Sequence, residues 1–202
     1  MTERLGGKMS TIQTKFIVVS LPRTGTLSMC QMLTSLGFTC EHPVGPSWKA
    51  FLGRFNRNVL ADTPMFAPST IQYVLDRSDE VKFIYTDKNP QDWVTSMVKV
   101  GLQRAHNSYY NTPDWDVFKP HAAIDFKALN EVLDGELVED NACEKFEKHK
   151  LFVKATIPPE RLLTYHFSEG WEPLCEFVGK PVPNIEVPHL NINTMFDKIL
   201  KN

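Results

Sequence analysis

The stretch KFIVVSLPRTGTLS, residues 15–28, sets an apolar, β-branched run directly before a short polar turn. In that turn Arg23 brings a fixed cation, Gly25 a backbone free of Cβ hindrance, and Thr24, Thr26 and Ser28 three hydroxyls. Downstream, Met29, Met32, Leu33 and Leu36 fall at i, i+3, i+4, i+7, the spacing of one buried helix face, and Gly37 stands at the C′ position. A strand, a turn and a helix in this order expose free N–H groups and the positive end of a helix dipole at the carboxyl end of a strand. The chemistry such a turn suits is the cradling of a phosphate-like anion.

The turn differs from the nucleotide-binding pattern G-x-x-x-x-G-K-[ST] in the positions that handle metal and charge. Thr26 follows Gly25 where lysine is required, and Leu27 takes the Mg²⁺-ligand position. Metal-assisted phosphoryl transfer is therefore disfavoured. Asp87, at the end of the apolar run VKFIYT, does have the position of an acidic residue that supports Mg²⁺ in such enzymes. It motivates a rival reading, a Mg-dependent, small-molecule kinase-like P-loop enzyme, recognisable by Mg²⁺-dependent ATP binding.

Pro-Arg-Thr-Gly-Thr-x-Ser over residues 22–28 resembles the 5′-phosphosulfate loop of sulfotransferases that use 3′-phosphoadenosine 5′-phosphosulfate (PAPS). Lys88-Asn89-Pro90, followed by Asp92 and Ser96, resembles the element of that family that holds the 3′-phosphate. A third block, residues 159–191, is similar to the C-terminal strand and helix of one bacterial, viral and eukaryotic branch. The resemblance implies a P-loop-like α/β sulfotransferase with PAPS as donor, 3′-phosphoadenosine 5′-phosphate (PAP) as product, and no metal. It assigns Pro22, Arg23, Thr24, Gly25, Thr26, Leu27, Ser28, Lys88 and Ser96 to the nucleotide.

Sulfuryl transfer needs donors on the leaving phosphate, a base for the acceptor hydroxyl, and in-line placement of the two oxygens. Arg23 and the N–H groups of residues 25–28 answer the first need. His42 follows a short strand at the ligand edge, histidine being the side chain that exchanges protons near neutrality, and related sequences place a His there. Glu41 is the substitute base. Asp62, in Asp62-Thr63-Pro64, matches an acidic D-x-P element and would orient base or acceptor, or form an Asx turn. His189 and Asn191 match a branch feature of underived role. Lys88 stands where many members carry Arg, keeping the charge and losing the bidentate fork, and the family's R-K-G segment is not evident near the C-terminus. A sulfotransferase-like module that binds without turnover is the other rival.

Beyond the first strand, turn and helix, strands are expected at 38–41, 81–86 and 161–166, and helix at 69–77, 122–133, 140–149 and 171–178. Asn89 and Pro90 are an N-cap and N1 pair, and Trp93, Val94, Met97, Val98 and Gly101 give their helix an inward face. Strands alternating with helices imply an α/β three-layer sandwich on a central, mainly parallel sheet. Trp171 and Leu174 are read as core. In the loop 104–120, Tyr109, Tyr110, Trp115 and Phe118 wall an acceptor pocket or clamp the loop itself.

The 202 residues, 42% hydrophobic, suffice for one domain, with 1–14 expected as a flexible tail. A net charge of −2 gives no field for nucleic acid or acidic membranes. Cys30, Cys40, Cys143 and Cys175 are scattered, which suggests neither metal cage nor disulfide frame and fits a reducing, cytoplasmic setting. With no apolar run long enough for a membrane span, the expected partner is a small-molecule, carbohydrate or peptide acceptor, its pocket open or completed in a homodimer.

Overall fold

The architecture was obtained as a computed structural model, which describes residues 12–42, 49, 52, 57–62, 64–96 and 139–188. Strand β1 spans Phe16–Val18, helix α1 Thr26–Ser35, β2 Cys40–Glu41 and β3 Val59–Ala61. Then come α2 (Pro68–Leu75), β4 (Lys82–Thr86), α3 over residues 90–96, α4 (Glu139–Thr156), β5 (Leu162–Tyr165) and α5 (Glu172–Val178). The strands form one five-stranded, all-parallel sheet in the order β2-β3-β1-β4-β5. From β1 the chain builds outward to one side through β2 and β3, then crosses to build the other side through β4 and β5. The carboxyl end of β1 is thus a topological switch point, where a doubly wound sheet leaves a crevice for ligands.

Alternation along the strands feeds two cores. Phe16, Val18, Val59, Ala61 and Ile84 face α1 and α5, packing with Met29, Met32, Leu33, Trp171 and Leu174. Ile17, Val19, Leu60, Phe83 and Tyr85 face the opposite layer, with Ile71 and Val74 from α2 and Val153 from α4. A third cluster, Leu21, Phe66, Trp93, Val94, Ala142 and Phe146, closes the ligand end. The expected three-layer α/β sandwich is what these contacts build, and Trp171 and Leu174 lie in its core.

Three features differ from the expectation. Val59–Ala61 is a strand that the sequence reading left out, because three residues inside a polar context carry no periodicity to recognise. Residues 12–14, expected in a flexible tail, are tied down: the amides of Gln13 and Thr14 both donate to the Leu52 carbonyl, at 2.7 and 3.2 Å, and Thr14 is buried. Cys30 and Cys40, read as unpaired, form a disulfide, their Cα atoms 5.8 Å apart, while Cys143 and Cys175 are free thiols. Spacing in sequence could not reveal that pairing, since it depends on α1 folding back against the edge strand. The expected helix at 122–133, the loop 104–120 with Tyr109, Tyr110, Trp115 and Phe118, and the residues Gly101, His189 and Asn191 lie outside the described residues.

Helix α4 carries a buried histidine. His149 Nε2–H donates to the Phe66 carbonyl at 3.0 Å, and Nδ1 has no partner among the described residues. Burial pushes its pKa down from 6.5 to about 4, the bond to Phe66 opposing this in part. The folded state therefore keeps the ring neutral where the unfolded chain protonates it. Stability linked to His149 is present above pH 6.5 and drains away as the pH falls towards about 4, on the order of 3 kcal/mol across that window. Denaturant unfolding at a series of pH values should show this slope for the wild type and a flatter one for His149→Gln.

Candidate functional site

The turn from β1 to α1 sits at the switch point and is fixed almost atom by atom. Gly25 has φ 98°, a left-handed conformation, and Arg23 adopts φ 72° without the freedom of glycine. The Thr24 hydroxyl donates to the Leu21 carbonyl at 2.8 Å and meets the Thr86 hydroxyl at 2.9 Å. The Ser20 hydroxyl accepts from the Thr86 amide at 2.5 Å, and Trp93 Nε1–H donates to the Pro22 carbonyl at 2.8 Å. The turn is thus stitched to β4 and α3. Thr24 was expected to offer its hydroxyl to an anion; its side chain is buried and faces inward instead.

Phe167 sets the other boundary. A Cβ added to Gly25 would lie 2.5 Å from the Phe167 ring, so the ring occupies the space that any other residue would need. The ring belongs to a short 3-10 turn, Phe167–Glu169, which closes on itself through the His166 amide donating to Glu169 Oε2 at 2.6 Å. Tyr165 Oη–H donates to the Gly170 carbonyl at 2.6 Å, and burial raises its pKa to about 12, so it stays a donor.

Cations converge on this turn from two separate motifs. Arg23 Nε–H donates to Ser96 Oγ at 3.2 Å, and Lys88 Nζ donates to the Arg23 carbonyl at 3.2 Å. Burial lowers the pKa of Lys88, repulsion from Arg23 adds to this, and Asp92 opposes both. An anion placed beside these two cations would relieve their repulsion and move the Lys88 pKa back up. The N-cap that aims Lys88 and Ser96 is Asn89, whose Oδ1 accepts from the amides of Gln91 and Asp92 at 2.9 and 3.3 Å.

On the opposite side of the turn, His42 Nε2 lies 3.0 Å from Thr26 Oγ1 and 3.3 Å from Asp62 Oδ2. His42 and Asp62 directly follow β2 and β3, Thr26 opens α1, and the three are adjacent because β3 lies between β2 and β1. Asp62 holds a left-handed backbone, φ 68°. Glu41, the alternative base, is instead bound by Arg57 Nε at 2.6 Å, which holds the carboxylate away from the turn's chemistry. Leu27 and Pro22 are half-buried, and Thr26 and Ser28 are buried at the start of α1.

Asp87 was the residue that favoured metal-dependent chemistry. Its side chain is 4% exposed, with Oδ2 2.5 Å from Lys150 Nζ and 3.5 Å from His166 Nε2, and Oδ1 accepting from the Lys88 amide at 3.0 Å. Lys150 and His166 went unremarked in the sequence, since α4 and the end of β5 meet Asp87 only through the tertiary fold. Both oxygens are thereby committed to protein donors.

The comparisons with known proteins follow this geometry. The family model for a sulfotransferase domain matches residues 43–196, three quarters of the chain. The chain belongs to the sulfotransferase family. The chain is 28% identical to the Ava biosynthesis cluster protein M of Aspergillus versicolor, over 87% of this chain and 80% of that protein. It is also similar to mouse sulfotransferase SULT7A1, solved in complex with PAP, at 18% identity and a TM-score of 0.48, covering 96% of this chain and 66% of the mouse one. The family match begins just after His42, so the residues of the turn enter the sulfotransferase reading on their own sequence and geometry.

Two outcomes follow from these contacts. Gly25→Ala should destabilise the protein by about 1–2 kcal/mol for the left-handed backbone alone, plus the clash with Phe167; denaturant unfolding should show that Phe167→Ala in the same background recovers only the clash. Lys150→Ala, which strands the buried Asp87 carboxylate, should cost about 3 kcal/mol or more. The double variant Asp87→Asn, Lys150→Met should recover most of this loss in the same assay.

Proposed function

We propose that this chain moves a sulfuryl group from PAPS to a hydroxyl, or less readily an amine, of an acceptor and releases PAP. The observation that carries the reading is the contact of Arg23 with Ser96 and of Lys88 with the Arg23 backbone, which joins two motifs 65 or more positions apart at the switch point of the sheet. A donor nucleotide with phosphates at both its 5′ and 3′ ends needs two such anion-binding groups side by side. Pro22, Arg23, Gly25, Thr26, Leu27 and Ser28 form the 5′ cradle, with Thr24 bracing the turn from within through Leu21 and Thr86, and Lys88 and Ser96 take the 3′-phosphate.

His42 is the base in this reading and Asp62 its orienting group. The Asp62 carboxylate favours a proton on Nε2, which leaves Nδ1 the basic nitrogen for the acceptor hydroxyl. Arg23 and the N–H groups at the start of α1 offset charge on the leaving phosphate; fixed donors suffice for a group that carries a single negative charge. Lys88, partly desolvated, holds the nucleotide without the bidentate grip of arginine. Neither a metal nor a nucleic acid enters this scheme. The commitment of Asp87 to Lys150 and His166 weighs against the kinase-like rival. The acceptor class is a small molecule, carbohydrate or peptide, and a cytoplasmic setting and a homodimer completing the acceptor pocket belong to the same proposal.

PAP should raise the melting temperature, a ligand at 100 times its Kd adding about 2.7 kcal/mol, whereas ADP with Mg²⁺ should not. Equal shifts from both ligands, or none from PAP, would refute the donor. Labelled-sulfate transfer to an acceptor library should be lost in Arg23→Ala and reduced by about 10²–10⁴-fold in His42→Ala, the usual contribution of a positioned base. Activity that survives without His42 would move the base to Asp62 or Glu41.

A further inference from the structure

The Cys30–Cys40 bond lies where the candidate base is held, and nothing in the phosphate-binding chemistry calls for it. Cys30 is on α1, one turn past Thr26, and is 4% exposed; Cys40 opens β2, two positions before His42. β2 is a two-residue edge strand that pairs only with β3. Such a short edge has little of its own to fix its distance from the neighbouring helix. The bond supplies that distance covalently, and the hydrogen bond between Thr26 and His42 spans the same gap. A groove of about 440 Å³ runs along the bond, lined by Leu27, Cys30, Gln31, Thr34, Cys40 and His42 among others. Half-buried Cys40 lines this groove, which gives a small thiol a route towards the bond.

We propose that Cys30 and Cys40 are a reversible redox site that sets the position of His42, open to reduction by a dithiol of the cellular thiol pool. A thiolate of the reductant attacks Sγ of Cys40, forming a mixed disulfide, and Cys30 leaves as a thiolate that takes up a proton. The reductant's second thiol then displaces Cys40, which is protonated in turn. One S–S bond breaks in this chain and one forms in the reductant, with two electrons and two protons passed to the protein. In the reduced form α1 and β2 are joined only through packing and hydrogen bonds, and His42 loses its fixed distance to Thr26. In the cytoplasmic setting proposed above, a disulfide is as a rule transient and catalytic or redox-sensing.

The catalytic consequence rests on the proposed role of His42, and the experiment separates the two. The purified full chain is equilibrated in oxidised or reduced dithiothreitol, denatured and alkylated. Two modified cysteines, Cys143 and Cys175, are expected in the first case and all four in the second. The His42 imidazole resonances, assigned with His42→Gln, should shift and broaden on reduction, and Cys40→Ala should give the reduced pattern in both buffers. Sulfuryl transfer from PAPS should lose about tenfold to a hundredfold in kcat on reduction, as misplacement by roughly 1 Å does, with KM for PAPS little changed. Four modifiable cysteines in both buffers, or an unchanged His42 signal after the bond opens, would overturn the redox site. Absence of PAP binding or transfer with the His42 shift intact would instead count against the donor reading and leave the coupling standing.

Discussion

Gly25 and the ring of Phe167 occupy space that admits only one arrangement. With a left-handed φ of 98° and a ring where a Cβ would stand, the first turn of α1 can approach the end of β5 only if the residue is glycine. Everything else at the ligand edge is referenced to that contact. Thr24 and Ser20 bind the turn to Thr86 on β4, and Trp93 binds it to α3, so the turn is held against the elements that carry Lys88 and Ser96. Preorganisation of this sort matters in group transfer because donors already in place need no rearrangement as charge develops.

Two carboxylate–imidazole pairs flank the turn, Asp62 with His42 on the β2–β3 side and Asp87 with His166 on the β4–β5 side. Their surroundings give them different work. Asp87 is nearly dry and closes a pair with Lys150, which makes it a fixture that neutralises a buried charge and receives the Lys88 amide. Asp62 is more open, and its histidine also meets Thr26 at the start of α1. The division explains why an acidic residue at the end of β4 need not signal a metal.

The edge strand carries the cost of this layout. Inserting β3 between β2 and β1 brings Asp62 next to His42, but it moves β2 to the rim, where two residues pair on one side only. A covalent tie from Cys40 to α1 compensates for what the ladder lacks. The position of His42 and the stability of the rim are therefore linked at one spot, because the strand that leads into His42 is a two-residue edge strand.

The strand, turn and helix around Arg23, Gly25, Thr26 and Ser28 were legible in the residues because their parts are local: the four lie within six consecutive positions, and the strand before them and the helix after them have clear periodicity. The α/β class, the Asn89–Pro90 cap and the core places of Trp171 and Leu174 follow from equally short-range patterns. Strand β3, the Cys30–Cys40 bond, the diversion of Glu41 to Arg57, the inward hydroxyl of Thr24 and the Lys150–Asp87 pair did not, because each depends on segments distant in the chain becoming neighbours. Resemblance to a family could name Lys88, Ser96, His42 and Asp62 as participants without saying what each would touch. Residue type and spacing determine which groups are available for chemistry. Their partners, and so whether a given carboxylate is a fixture or an orienting group, are decided by strand order, since a sheet assembled from non-consecutive strands sets contacts that no local pattern records.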